Sequence, residues 1–106
     1  MKFLEPKKTR EELFHEDVHR GKAAKDLLDN PLLTEAFTAI REQLQAEWLA
    51  SPARDAEGRE KLWLMTAMLK KLETHITQHI QTGENAATLI KEDEKKRKLF
   101  SLPKNF

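Results

Sequence analysis

The sequence predicts an all-α protein: an antiparallel hairpin of two long helices, flanked by N- and C-terminal helices and completed by oligomerisation. Composition is the first reason. The 106 residues include fifteen Leu and eleven Ala, but one Val, four Ile and no Tyr. Leu and Ala favour helix, whereas a sheet needs β-branched and aromatic residues on its faces. The breakers are the second reason, because Gly stands only at 21, 58 and 83 and Pro only at 6, 31, 52 and 103. They cut the chain into helix-sized pieces. The third is that apolar residues recur at spacings of three and four, the period of one helical face.

Residues 1–8 carry Pro6 and three Lys without periodicity and read as a loose arm. Thr9 opens a capping box with Glu12, three residues on. A helix follows to Asp29, its thin apolar stripe made by Phe14, Val18, Ala24 and Leu28. Gly21 in its middle costs about 1 kcal/mol against Ala, which predicts a bend or fraying there. Asn30-Pro31 is a boundary, since Asn caps well and Pro suits the first helical position. The helix over 31–50 then aligns Leu33, Phe37, Ile40, Leu44 and Trp48. Ser51-Pro52 closes it.

Asp55 caps the longest expected helix, 56–82, in which Leu62, Met65, Leu69, Leu72 and Ile76 alternate by threes and fours. Leu64 and Met68 widen that face. Thr82-Gly83 reads as its stop, with Gly free to take the left-handed conformation. At about 1.5 Å per residue this helix is roughly 40 Å long and its predecessor about 30 Å, so the short joint between them makes an antiparallel hairpin. A further helix is expected over 84–98, supported by Glu92, Asp93 and Glu94, each four residues before a base. Residues 99–106 read as an extended tail. The whole is one helical domain, 1–106.

Lys plus Arg (19) and Asp plus Glu (18) leave a net charge of +1, which argues against a wholly basic nucleic-acid binder. With no Cys, disulfide scaffolds, thiolate zinc sites and a cysteine nucleophile are excluded. No apolar run approaches the roughly 18 residues of a membrane span, and the start lacks a signal-peptide apolar region. A soluble protein of the cytoplasm is expected.

His15-Glu16-Asp17-Val18-His19 matches H-E-x-x-H, where two imidazoles one turn apart bind zinc and the Glu activates water. The pentapeptide brings no third ligand at a familiar spacing, and its two His align with Lys22 and Asp26. A solvated helix face is the simpler reading, and a metal-dependent hydrolase the remote one. His75 and His79 form a second such pair, a core-edge pair before a metal site. No nucleophile–base arrangement and no phosphate-cradling glycine loop appear, so neither enzyme activity nor a cofactor is expected.

The dense basic cluster is Lys95-Lys96-Arg97-Lys98. Residues 91–106 hold six bases and three acids, hence net +3, which leaves −2 for the rest of the chain. Phe100, Leu102 and Phe106 interleave apolar side chains, which suits a protein partner. Contact with nucleic acid phosphates, as in a packaging accessory, is the alternative. The hairpin cannot enclose a core alone. Trp48, Leu62, Trp63, Met65, Leu69 and Leu72 exceed what one facing helix covers, so they are read as an oligomer interface of identical subunits.

Several stretches resemble small helical proteins of tailed bacteriophages, of the kind encoded among head and packaging genes. They are Leu27-Leu28-Asp29-Asn30-Pro31-Leu32-Leu33, Glu35-Ala36-Phe37, Trp48, Ser51-Pro52, Asp55 to Trp63, and His75 to Thr82-Gly83. The resemblance covers roughly residues 24–90. It implies a viral origin and a non-enzymatic part in particle assembly or genome packaging, in the host cytoplasm or the virion, with a host-directed accessory role also open. It carries over no catalytic or binding residue.

Overall fold

The structure, a computed structural model, describes residues 7–101. They form three helices: α1 (Arg10–Asp29), α2 (Pro31–Ala50) and α3 (Ala56–Ser101). No strand occurs among the described residues. The fold class is all-α.

Local chemistry sets each helix start. The Thr9 hydroxyl accepts a hydrogen bond from Glu12 N (3.1 Å), and Glu11 and Glu12 place negative charge at the positive end of α1. Asn30 Oδ1 accepts from Leu32 N and Leu33 N (2.9 and 3.4 Å), satisfying two amides that have no partner within α2. Pro31, the first residue of α2, has no amide to satisfy there. The chain leaves α2 at Ser51, whose extended backbone (φ −71, ψ 139) ends the helical hydrogen bonding and whose hydroxyl donates to Trp48 O (2.6 Å). Asp55 Oδ1 then accepts from Gly58 N (3.0 Å) and starts α3.

α3 is a single helix of 46 residues. This corrects three expectations: a stop at Thr82-Gly83, a separate helix over 84–98, and an extended tail from residue 99. No described glycine has a positive φ, so Gly83 continues the helix. Leu99 and Phe100 belong to its last turn. Of the arm expected over residues 1–8, residues 7 and 8 precede α1, and residues 1–6 lie outside the described residues, as do the tail residues Leu102 and Phe106.

The chain divides into two compact units. Unit 1 pairs the start of α1, up to Ala23, with the end of α3, from His79. Near the boundaries of this unit, at Ala23 and His79, Gly21 and Gly83 touch backbone to backbone: a Cβ on Gly83 would lie 2.9 Å from Asp17 O and 3.0 Å from Gly21 Cα. α1 runs unbroken through Gly21, which is buried against Gly83. Ala86, one turn beyond Gly83, is 3% exposed. At the open end of the unit, Arg97 donates to Glu11 (2.8 Å), Arg10 lies 3.8 Å from Asp93, and Arg10 stacks 5.0 Å from the centre of the Phe14 ring.

Unit 2 holds residues 24–78. Ala24, Phe37 and Leu44 are buried, and Leu33, Leu62, Leu69 and Ile76 are half-buried. Arg41 pairs with Glu73, and the Arg59 guanidinium sits 4.7 Å from the centre of a Trp48 ring. Arg59 also donates to the Ser51 hydroxyl (3.0 Å) and carbonyl (3.4 Å).

Candidate interaction surface

α3 has more apolar side chains in unit 2 than α2 covers. Successive residues of an α-helix are 100° apart, so Leu62, Leu69 and Ile76 fall in one row, and these are half-buried. Trp63 stands to one side of that row and Met65, Leu72, Met68 and Leu64 progressively to the other. On the Trp63 side, Trp48, Leu44, Arg41 and Gln45 of α2 join Trp63 and Thr66 around a shallow pocket. On the opposite side Ile40 and Leu44 of α2 line an open apolar groove with Leu64, Met65, Met68, Leu69 and Leu72.

Of the six residues expected at an oligomer interface, Trp48, Trp63, Met65 and Leu72 are exposed, while Leu62 and Leu69 are half-buried. The structure brings all six into unit 2. It also adds Ile40, whose spacing with Phe37 and Leu44 had placed it simply in the α2 stripe, and it gives Leu64 and Met68 a larger share of the exposed face. The Arg59–Trp48 stack had no sequence signal, because it joins residues on either side of the Ser51–Asp55 joint.

The C-terminal basic cluster lies on the last turns of α3. Lys95, Lys96, Arg97 and Lys98 are all exposed, and Phe100 is 88% exposed. Arg97 is set apart from its neighbours by its bond to Glu11. That hydrogen bond and the guanidinium charge hold the Glu11 carboxyl below the usual carboxylate range, and the same contact raises the Arg97 pKa. Lys8, hydrogen-bonded to Glu16, likewise lowers the Glu16 carboxyl.

His15 and His19 are exposed on α1, with His15 Nε2 3.9 Å from Glu11. His75 is exposed and His79 half-buried. Among the described residues, no three His, Asp or Glu side chains converge to hold a metal ion. No described helix is long and apolar enough to cross a membrane. No protein-family model, curated protein or solved structure matches the chain.

Proposed function

We propose that this chain is a non-enzymatic helical interaction protein that works by self-association. In this reading α2 and the first half of α3 form an antiparallel hairpin as scaffold, and a second subunit completes the fold. The end of α3 and the residues beyond it engage a protein partner. The resemblance over residues 24–90 gives the setting: a component of phage particle assembly, acting in the host cytoplasm or the virion.

One observation carries the reading. Ile40, Trp48, Trp63, Leu64, Met65, Met68 and Leu72 all leave a third or more of their surface in water. At about 200 Å² for a large apolar residue, the five on the groove side, Ile40, Leu64, Met65, Met68 and Leu72, expose roughly 500 Å² in one patch, the size of the largest patches on monomers, which are often functional. Mass by light scattering on a size-exclusion column tests it. The wild type is expected to run as an oligomer stable in salt, and Met68→Lys, which buries no charge in the subunit, as a monomer with unchanged helix content. A monomeric wild type overturns the reading.

The exposure of Lys95, Lys96 and Lys98 supports a second reading, a nucleic-acid-binding packaging accessory. It requires binding that weakens steeply with salt.

A further inference from the structure

We infer that two copies of the chain pair through an antiparallel α3–α3 contact whose twofold axis passes beside Met68. This pairing rests on the self-association proposed above and adds to it the face, the occupant and the direction.

Lys61, Leu64, Met68, Leu72 and His75 follow one another on α3 at intervals of three, four, four and three. Those intervals keep all five within a narrow strip of the helix surface. The strip reads the same in both directions from Met68. Leu precedes and follows Met68 by four residues, and a polar side chain closes each end. A closed dimer needs one patch that is complementary to itself under a twofold rotation. With the axis at Met68, Leu64 meets Leu72 of the partner subunit, and Met68 meets Met68 of the partner subunit.

The area agrees with what such a dimer needs. On this side of unit 2, Ile40, Leu64, Met65, Met68 and Leu72 are each between 45% and 63% exposed. At about 200 Å² per large apolar side chain, that is roughly 500 Å² of apolar surface. Homodimer interfaces are about 65% apolar, so this corresponds to about 800 Å² per subunit, the area of a standard stable interface. Met65 and Ile40 widen the strip toward α2, no charged residue lines the groove, and Lys71 borders the strip's far edge beside Leu64.

Charge sets the direction. A parallel pair would place Lys61 against Lys61 of the partner subunit and align the two helix dipoles, both unfavourable. Antiparallel pairing opposes the dipoles and moves the two Lys61 positions to opposite ends of the contact, about 21 Å apart at 1.5 Å per residue.

The chain has no cysteine, so introduced thiols are the only ones available for oxidation. Met68→Cys is expected to give a covalent dimer under mild oxidant. So is the double variant Leu64→Cys/Leu72→Cys. Leu64→Cys alone is expected to give none, because its two copies lie about 12 Å apart along the axis, beyond the roughly 7 Å Cα separation a disulfide spans. Far-UV circular dichroism confirms that each reduced variant keeps its helix content. Cross-linking of Leu64→Cys alone to the same extent as Met68→Cys would mean a parallel pair and overturn the inference. So would absence of a Met68→Cys dimer in a protein that light scattering finds dimeric; self-association would then stand through another face. A wild type that stays monomeric at the concentration of the oxidation overturns both.

Discussion

A methyl group added at Gly83 sets two effects of known size against each other. In a helix interior Ala is favoured over Gly by about 1 kcal/mol, so an unhindered site gains stability. Here the new Cβ would lie 2.9 Å from Asp17 O, 3.0 Å from Gly21 Cα and 3.5 Å from Gly21 N. All three are backbone atoms of α1, so no rotamer change relieves the contact. Restoring ordinary separations requires the helices of unit 1 to part by several tenths of an ångström. Overpacking of this kind costs about 1–3 kcal/mol. Steric cost therefore exceeds propensity gain, and Gly83→Ala is expected to destabilise by about 1 kcal/mol, a fall of about 4–8 °C in Tm for a domain of this size. Gly21→Ala meets His79 O at 2.9 Å and Gly83 Cα at 3.0 Å, so a similar fall is expected. The double variant distinguishes this cause from a general loss of packing. One displacement of α1 accommodates both methyl groups, so the pair should be less destabilised than the sum of the singles, by about 1 kcal/mol of coupling. Thermal melts followed by circular dichroism read all four proteins. A Tm raised by Gly83→Ala, as at an open helical position, would refute the close approach.

Further outcomes follow from the caps and the charged groups. Asn30→Ala removes the acceptor of two α2 amides and is expected to cost about 1 kcal/mol in a denaturant titration; Asn30→Asp should restore most of it. Arg97→Ala removes the main cause of the lowered Glu11 pKa, so the Glu11 carboxyl, followed by NMR, should titrate closer to the usual 4.5. The sign is fixed by linkage. A depressed carboxyl pKa stabilises the folded state above the unfolded pKa, and that contribution is lost as pH falls through the folded value, so the wild type and Arg97→Ala should differ at neutral pH and converge in acid. Replacing Lys95, Lys96 and Lys98 together by Gln should weaken any nucleic-acid binding and lower its salt slope by up to about 3, while leaving subunit mass unchanged. Binding that survives with its slope intact would remove the basic cluster from that role.

The fold class was legible because it rests on averages. Fifteen Leu and eleven Ala against one Val need no knowledge of which residues meet. The helix starts were legible for a different reason, since Thr9, Asn30 and Asp55 act on amides only two or three residues away. The apolar excess of residues 62–72 was legible too, because periodicity states which side chains share a face. What periodicity leaves out is which part of that face a neighbour covers. In the structure Leu62, Leu69 and Ile76 form the half-buried row, which leaves Ile40, Leu64 and Met68 exposed. The Glu11–Arg97 bond joins residues 86 apart, and nothing local to either one selects the other.

Gly83 is the instructive failure, because the sequence holds the terms that decide it. A glycine stop is cheap when the chain beyond it does not return to helix. Beyond Gly83 stand Glu84-Asn85-Ala86-Ala87-Thr88-Leu89-Ile90, and no proline occurs before Pro103. Ending one helix at 82 and starting another at 84 would require a second nucleation, a factor of about 10⁻³ or roughly 4 kcal/mol. Carrying glycine inside a continuous helix costs about 1 kcal/mol. The continuous helix wins by that margin before any tertiary contact forms. The close approach of Gly21 then offsets the remaining cost, because a backbone bare of side chains lets α1 pack against α3 where any other residue would hold them apart. The pattern Gly21-x-x-Ala24 matches Gly83-x-x-Ala86 in spacing. Two helices that each carry a glycine at mid-length, against their own propensity, are better read together as one contact than separately as a weak point and a stop.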